Sequence, residues 1–247
     1  MENAQLITLS RQTALRNQLT VVANNMANLN TSGYKAQRLN FEEYLMPVAE
    51  ATEFPTPDET LSYVHDYATT FNFSEGGIRT TDNPFDLAIE GDGFFAVQME
   101  DGTEAFTRNG AFHLDVGGTL VTATGRPVLT EGGPISFTTE DGQVEIARDG
   151  TISSELGARG RIRLVDFEDK QSLLQLGENL YVGNEPLPIQ PIRGVVQGAL
   201  EEANVDGVVE MTRLIEITRA YESVTKMQSD MDELRKTAIQ TLGTLQA

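Results

Sequence analysis

Both ends of the chain place apolar side chains at alternating intervals of three and four residues, whereas the long middle does not. Near the N-terminus this spacing is kept by Leu15, Leu19, Val22, Met26 and Leu29. Toward the C-terminus it runs through Ile217, Ala220, Val224, Met227, Met231, Leu234, Ala238, Thr241 and Leu245. Such spacing puts the apolar side chains on one face of a helix, where a second helix can cover them. The pattern predicts two helices, over residues 4–29 and 207–245, each with an apolar seam.

Residues 76–192 have instead the composition of short strands joined by tight turns. Turn-forming dipeptides recur at Asp101-Gly102, Asn109-Gly110, Asp141-Gly142 and Asp149-Gly150. Between the turns, β-rich runs occupy Phe94–Met99, Ala105–Arg108, Thr119–Thr122 and Arg161–Phe167. Because short strands separated by such dipeptides are typical of hairpins, the middle of the chain is predicted to be mostly antiparallel β-structure.

The segment between the first helix and the β region has little periodicity. Pro47, Pro55 and Pro57 interrupt any long element there, because proline fixes its own φ and lacks a backbone donor. Residues 34–75 are therefore predicted to form a connector with a short helix around Phe41–Leu45 and some extended segments.

Together these elements predict an α+β fold. The two terminal helices are expected to pair in one discontinuous, coiled-coil-like domain, so that the β domain is inserted between its two halves. The predicted boundaries are 1–33 with 200–247 for the terminal helical domain, 34–75 for the connector and 76–199 for the β domain.

The composition excludes several classes of function. Lys plus Arg number 18 and Asp plus Glu number 37, which gives a net charge of −19 and argues against binding to a nucleic-acid backbone. The absence of cysteine excludes disulfides, thiolate metal sites and a cysteine nucleophile. The sequence contains no run of roughly 18 or more apolar residues, so it predicts no membrane span. The polar N-terminal sequence also lacks the apolar core of a cleaved secretory signal.

No motif makes a positive case for catalysis. The loop Gly91–Ala96 has the glycine spacing of a dinucleotide-binding loop, but the residues after it form a predicted strand where that motif needs a helix. His65 and His113 stand far apart and match no metal-binding spacing. We therefore predict a protein that is not an enzyme and that binds neither a cofactor nor a metal.

Four asparagines crowd the end of the first predicted helix, at positions Asn24, Asn25, Asn28 and Asn30. Asparagine commonly terminates helices and caps backbone groups, which is one explanation of the cluster. Alternatively, the side-chain amides could hydrogen-bond to another subunit, since four amides exceed the need of a single helix end. The sequence alone leaves both explanations open.

Three segments carry a resemblance to a known family. Ala23–Lys35 reads ANNMANLNTSGYK, with Ser32 and Tyr34 where a proline and a phenylalanine are usual. Asn83–Leu129 contains the runs DLAIEGDGFFAVQ and FTRNGAFHLD, and Gly194–Tyr221 reads GVVQGALEEANVDGVVEMTRLIEITRAY. In their order and spacing these segments resemble the bacterial flagellar rod and hook family, the axial proteins of the basal body.

Within that family, the length and the run EMTRLIEITRAYE at residues 210–222 are most similar to the proximal rod proteins. The resemblance implies a structural subunit that assembles with other copies and with other rod proteins, through pairing of its terminal helices. It also implies export through the flagellar type III apparatus without a cleaved signal, and a place in the periplasmic rod.

If the terminal helices carry the assembly, their seams and the asparagine cluster are its candidate residues. This predicted interface consists of Leu15, Leu19, Val22, Asn24, Asn25, Met26, Asn28, Leu29, Asn30, Ile217, Tyr221, Val224, Met227, Met231, Leu234 and Leu245.

Three other functions compete with a proximal rod subunit. The chain could be a distal rod protein of the same family. It could be a cell-wall-binding module that oligomerises through its helices, provided that Phe94 and Phe95 expose aromatic surface on one face of the sheet. A hydrolase would need a pair of carboxylates in a cleft of the β domain, and no such pair is diagnosable from sequence.

Overall fold

The computed structural model describes residues 2–46, 61–188 and 194–244. It has an α+β fold, as predicted, with a long helix toward each terminus and antiparallel β-structure between them. The helices are α1 (Glu2–Ala27) and α2 (Gly207–Thr244), and single 3-10 turns occur at Thr139–Asp141 and Lys170–Ser172. The strands are β1 (Gln37–Met46), β2 (Leu61–Phe71), β3 (Ile78–Thr80), β4 (Leu87–Glu90), β5 (Phe94–Gln98), β6 (Glu104–Thr107), β7 (Phe112–Leu114), β8 (Leu120–Thr122), β9 (Leu129–Thr130), β10 (Gly133–Pro134), β11 (Glu145–Ile146), β12 (Thr151–Ser154), β13 (Gly157–Arg161), β14 (Leu164–Asp166), β15 (Leu174–Gly177), β16 (Leu180–Val182), β17 (Leu187–Pro188), β18 (Gly194–Gln197) and β19 (Ala199–Glu201).

The start of α2 coincides with the predicted one, and a side-chain cap defines it. The Asp206 carboxylate accepts hydrogen bonds from the backbone N–H groups of Val208 and Val209, at 3.0 and 3.2 Å. Capping by aspartate satisfies donors that the first helical turn leaves without partners and places a negative charge at the positive end of the helix.

The predicted short helix at Phe41–Leu45 is wrong, because these residues belong to strand β1, which pairs with β2. Leu39, Phe41 and Leu45 are separated by even numbers of residues, a spacing that fits a strand as well as a helical turn. The partner strand supplies the backbone hydrogen bonds that decide between the two, and the local sequence does not reveal that partner.

The chain divides into two compact units. The terminal unit consists of Met1–Ala27, Gln37–Thr70 and Asp206–Ala247, and the central unit consists of Asn28–Ala36 and Phe71–Val205. The domain boundaries drawn from the sequence stay a prediction.

In the terminal unit, α1 and α2 pack against each other in antiparallel directions. Gln12 donates a hydrogen bond to the Tyr221 hydroxyl at 3.2 Å, while Asn25 near the end of α1 meets Glu210 near the start of α2. Val22 and Val224 are buried in this unit. The helices are therefore held by apolar packing together with polar pairs near the end of α1 and midway along it.

The central unit is built on a six-stranded antiparallel sheet in the order β15-β16-β6-β5-β14-β17. Its central strand β5 is buried on both faces, because Phe94 packs with Phe106, Phe167 and Tyr181, whereas Phe95 packs with Phe112 in a separate core cluster. Alternation along a strand sends neighbouring side chains to opposite faces. Smaller antiparallel pairs and a three-stranded sheet, β11-β12-β13, complete the unit.

The predicted turns have different outcomes. Asp101-Gly102 closes the β5–β6 hairpin, and Asp149-Gly150 closes the β11–β12 hairpin. Asn109-Gly110 instead connects strands of two different sheets, and Asp141-Gly142 ends a 3-10 turn. A turn dipeptide predicts a bend in the chain, but it does not specify which strands pair across the bend.

Candidate functional site

The three recognised sequence segments each contribute one charged side chain to a buried ion cluster in the central unit. Lys35 Nζ lies 2.6 Å from Glu201 Oε1, and Arg108 Nε lies 3.2 Å from Glu201 Oε2. The three side chains are 1 to 2% exposed. Charged side chains are almost never buried to this extent unless they are paired, so this ion cluster is a built feature of the fold.

Lys35 is brought to the ion cluster by a tight turn at Gly33. Gly33 has φ of +66°, and its backbone N–H donates to the Glu201 carbonyl at 2.8 Å. A Cβ at this position would lie 2.3 Å from the backbone carbonyl carbon of Arg108, which is far inside contact distance. Glycine is required here both by the left-handed conformation and by the close approach of another backbone.

The remaining polar partners in the ion cluster are backbone groups. Lys35 Nζ also donates to the Ser74 carbonyl at 2.7 Å, and Glu201 Oε1 accepts from the Gly76 N–H at 3.0 Å. Arg108 donates to the carbonyls of Gly91 and Gly93, at 2.6 and 2.8 Å. These carbonyl dipoles help to offset the second positive charge, since the ion cluster holds two cations and one carboxylate.

Burial dominates the electrostatics of Lys35. Desolvation lowers the pKa of the Lys35 ammonium below its usual value of 10.5, and the Glu201 carboxylate opposes that shift. Between Arg108 and Glu201 the contact is an ion pair rather than an aligned hydrogen bond, because Glu201 Oε2 has no partner with hydrogen-bond geometry. The carboxylate is therefore held mainly through its other oxygen.

The glycine-rich loop Gly91–Ala96 serves this ion cluster. Gly91 and Gly93 have φ of +95° and +127°, and strand β5 follows them directly. The loop lacks the following helix that a dinucleotide site needs, and its carbonyls are used by Arg108. The predicted strand after the glycines is therefore confirmed, and the glycines form a bend between β4 and β5.

Asn204, which the sequence analysis did not single out, joins three stretches of the central unit. Its Oδ1 accepts from the Ala36 N–H at 2.7 Å, and its Nδ2 donates to the carbonyls of Asn72 and Ser74 at 2.7 and 2.9 Å. One amide thereby connects segments that are distant in sequence through three hydrogen bonds. It lies inside the third recognised segment, and that position is the only signal that pointed to it.

In the terminal unit, Asn25 is the centre of a second buried network of polar groups. Its amide exchanges two hydrogen bonds of 2.9 Å with the backbone of Gln37, and Nδ2 lies 3.5 Å from Glu210 Oε2. Glu210 in turn accepts from Arg213 at 2.8 Å. Asn25 is 1% exposed, so its amide is engaged within the chain.

The other asparagines lie in different environments. Asn24 is exposed on α1, and its amide lies 3.4 Å from the Gln37 side chain. Asn28 accepts a hydrogen bond from the Thr31 hydroxyl at 3.1 Å, which is the arrangement of a turn after a helix. Asn30 is exposed. Contacts of these amides with another subunit stay a prediction.

The predicted seam residues fall into three groups. Val22 and Val224 are buried, while Leu15, Leu19, Met26, Leu29, Ile217, Tyr221 and Met231 are half-buried. Met227 and Leu234 are exposed, by 42% and 70%. Leu245 lies outside the described residues. The assembly role of the whole set stays a prediction.

On α2, the less exposed face is rotated relative to the predicted seam. It follows Glu210, Leu214, Ile217, Tyr221, Val224, Gln228 and Met231. This line includes polar residues, two of which form the pairs with Asn25 and Gln12. A prediction based on apolar spacing alone therefore favoured Met227 and Leu234 over their polar neighbours.

The alternative of a cell-wall-binding module loses its structural premise. Phe94 and Phe95 are 2% and 0% exposed, so they offer no aromatic surface for cell-wall binding. Among residues 2–46, 61–188 and 194–244, His, Asp and Glu side chains form no cluster that could hold a metal ion. Neither helix, over the part that the structure describes, combines the length and apolar character needed to cross a bilayer.

Known protein families match the chain in the same three regions. Residues 6–35 match the family of flagella basal body rod proteins. Residues 88–154 match the D1 domain of the flagellar hook proteins FlgE/F/G, and residues 196–241 match the C-terminal region of the flagellar basal body rod FlgEFG proteins.

Individual relatives align along nearly the whole chain. The flagellar basal-body rod protein FlgF of Caulobacter vibrioides is 40% identical over 246 residues, which cover 98% of this chain and 99% of the relative. FlgF of Mesorhizobium japonicum is 33% identical over 98% of this chain and 99% of the relative. FlgG of Buchnera aphidicola is 33% identical over 87% of this chain and 90% of the relative.

These matches define an axial protein of the bacterial flagellum. The chain belongs to the flagellar basal-body rod protein family. The F type is favoured within it, because the alignments with these two FlgF relatives extend further along this chain than the alignment with FlgG.

Proposed function

We propose that the chain is a structural subunit of the proximal part of the flagellar rod, and that it polymerises helically through its terminal helices to transmit torque. The observation that carries this proposal is the apolar surface of α2. Val208, Met211, Ile215, Leu234 and Ile239 are between 48 and 78% exposed along one helix. Val208, Met211 and Ile215 follow one another at intervals of three and four residues and so share a face near the start of α2, whereas Leu234 and Ile239 lie toward its other end. Exposed large apolar residues that share a face are typical of protein interfaces.

Assembly with other copies and with other rod proteins gives these side chains a partner. A helical polymer needs a heterologous interface, in which one surface of a subunit meets a different surface of the next. The terminal unit exposes apolar residues at both ends of α2, which gives such an interface more than one place to form. The similarity to flagellar basal-body rod proteins supports a location in the basal body. We propose in addition that the rod is periplasmic and that the chain reaches it through the type III export apparatus.

The buried ion cluster suits a subunit under mechanical load. Lys35, Arg108 and Glu201 connect stretches of the central unit that are distant in sequence, and separating them would expose unpaired charges within an apolar interior. Breaking a buried ion pair by removing one partner costs about 3–5 kcal/mol. We propose that the ion cluster resists deformation of the central unit while the rod turns. No enzymatic activity is needed for this function.

The test is to place a tagged copy in a bacterium whose own gene for the protein is deleted, and to isolate its basal bodies. We expect the tagged chain to co-purify with the rod and to restore swimming. Immunogold labelling should place the tag on the rod between the basal-body rings. Recovery of the chain only outside the basal body, with swimming restored, would contradict a structural role in the rod.

A further inference from the structure

The two helices of the terminal unit are unequal in length, and their register places the excess at one end. Helix α1 has 26 residues and α2 has 38, a difference of 38 − 26 = 12 residues, or roughly 18 Å of helix. Asn25 meets Glu210, and Gln12 meets Tyr221. With this register, the α2 residues from Leu234 to Thr244 extend past the start of α1. We call this segment the overhang.

The overhang exposes large apolar side chains. Leu234 and Ile239 are each 70% exposed, although both are aliphatic. Asp230 lies one turn before Leu234 and is also exposed. Residues four apart share a face of a helix, so Asp230 and Leu234 present one carboxylate and one aliphatic group side by side.

At the opposite end of the same helix pair lies a groove of about 230 Å³. Its walls come from the last turns of α1, the start of β1 and the first turns of α2. Apolar lining is provided by Val21, Val22, Leu39 and Ile217. Arg38 also lines the groove and is itself exposed, so an aliphatic surface adjoins a cation. The lining further includes Glu210 and Arg213, which are paired with each other at 2.8 Å, so Arg38 gives the lining a net positive charge.

We propose that the overhang of one copy docks in this groove of a second copy of the chain, with Leu234 in the apolar part and Asp230 beside Arg38. The two surfaces are complementary in polarity and in charge. Because the antiparallel register places them at opposite ends of one helix pair, a copy that uses its overhang keeps its own groove open for another copy. A head-to-tail contact of this type extends a filament instead of closing a dimer. This inference rests on the proposed function, since it names the partner surface through which the subunit polymerises.

Crosslinking tests the contact directly, because the chain contains no cysteine. The full-length variant Leu39→Cys/Leu234→Cys is treated with a short bis-maleimide, both at high concentration and in isolated basal bodies. We expect a ladder of crosslinked oligomers. A mixture of the single variants Leu39→Cys and Leu234→Cys should stop at dimers, and either single variant alone should stay monomeric. Crosslinking of a single variant to itself would overturn the head-to-tail arrangement.

Substitutions provide an independent test of the contact between the overhang and the groove. Leu234→Asp should weaken self-association in sedimentation experiments at least tenfold, whereas Gln240→Asp, on a different face of the overhang, should leave it unchanged. Arg38→Asp and Asp230→Arg should each weaken association, and the double variant should recover most of it. Absence of recovery would overturn the Asp230–Arg38 contact.

The outcomes also separate this inference from the proposed function. If the chain enters the rod but the double-cysteine variant yields no crosslink between copies, the groove contact is wrong and the rod function stands. If a photoreactive crosslinker attached to Leu234→Cys joins the chain only to a different rod protein, the second copy is the wrong occupant. Failure of the unmodified chain to enter the rod would overturn the proposed function itself.

Discussion

Lys35 Nζ and Glu201 Oε1 lie 2.6 Å apart although the two residues are 166 positions apart in the chain. Both side chains are almost completely buried, and Arg108 completes the ion cluster from the β region between them. The segments that identify the family therefore meet through charged side chains inside the central unit. Their shared role is to fix the start and the end of that unit to its β-sheets.

Replacing Glu201 should be much more damaging than replacing a neighbouring exposed glutamate. Glu201→Gln leaves two buried cations without a counter-charge, so we expect a loss of about 3–5 kcal/mol in the free energy of unfolding. The control is Glu202→Gln, because Glu202 forms an exposed pair with Arg79 at 3.3 Å and should change stability by less than about 1 kcal/mol. Urea unfolding followed by circular dichroism measures both. Equal effects would show that the ion cluster is not a stabilising feature.

Lys35 should make stability depend on pH in the alkaline range. Burial lowers its pKa in the folded state below 10.5, so the unfolded chain binds the proton more tightly. The contribution of Lys35 to stability should therefore rise as the pH increases from the folded-state pKa toward 10.5, and should be constant below that window. The measurement is the difference in unfolding free energy between the natural chain and Lys35→Met as a function of pH. A difference that moved against the natural chain over this window would contradict the assignment.

Gly33 and Gly102 form a matched pair for testing close backbone approach. Both have positive φ, at +66° and +83°, but a Cβ on Gly33 would meet the Arg108 backbone while Gly102 has nothing within 4 Å. Gly102→Ala should cost about 1 kcal/mol from conformation alone. Gly33→Ala should cost clearly more, because the turn must move away from Arg108. Thermal or urea denaturation of the two variants compares them, and equal losses would mean that the contact is easily relieved.

Substitution of Val224 should disrupt the pairing of α1 and α2 without unfolding the β-structure of the central unit. Val224→Asp buries a charge within the terminal unit, where Val224 is 4% exposed, so we expect loss of the helix pair and of rod incorporation. The central unit should keep its strand signal in circular dichroism. Thr225→Asp places the same charge on the adjacent exposed position and should preserve incorporation. Swimming supported by Val224→Asp would show that this packing is not needed for assembly.

The elements whose formation depends mainly on local sequence, the two helices and one hairpin, were predicted correctly. Three-four spacing of apolar residues predicted both helices, and Asp101-Gly102 predicted a true hairpin. The assignment at Phe41–Leu45 failed because a short segment can satisfy either period, and only its pairing with β2 settles the structure.

The ion cluster could not be predicted in the same way. Lys35, Arg108 and Glu201 are single charges in unrelated local contexts, and no spacing connects residues so distant in the chain. Only the fold brings them together, and only the family segments marked their neighbourhoods in advance. The polar pairs of Gln12 and Asn25 with α2 likewise cannot be read from apolar spacing, and the face of α2 that they share leaves Met227 and Leu234 exposed.

The central claim is that the terminal helices are the assembly device, and hydrogen exchange tests it most directly. Backbone amides of α1 and α2 are compared between the purified monomer and the chain within isolated basal bodies, with strand β5 as the internal reference. We predict weak protection of the terminal ends of α1 and α2 in the monomer and strong protection after assembly, greatest between residues 234 and 244, while β5 stays unchanged. Equally strong protection of the helices in both states would contradict the claim.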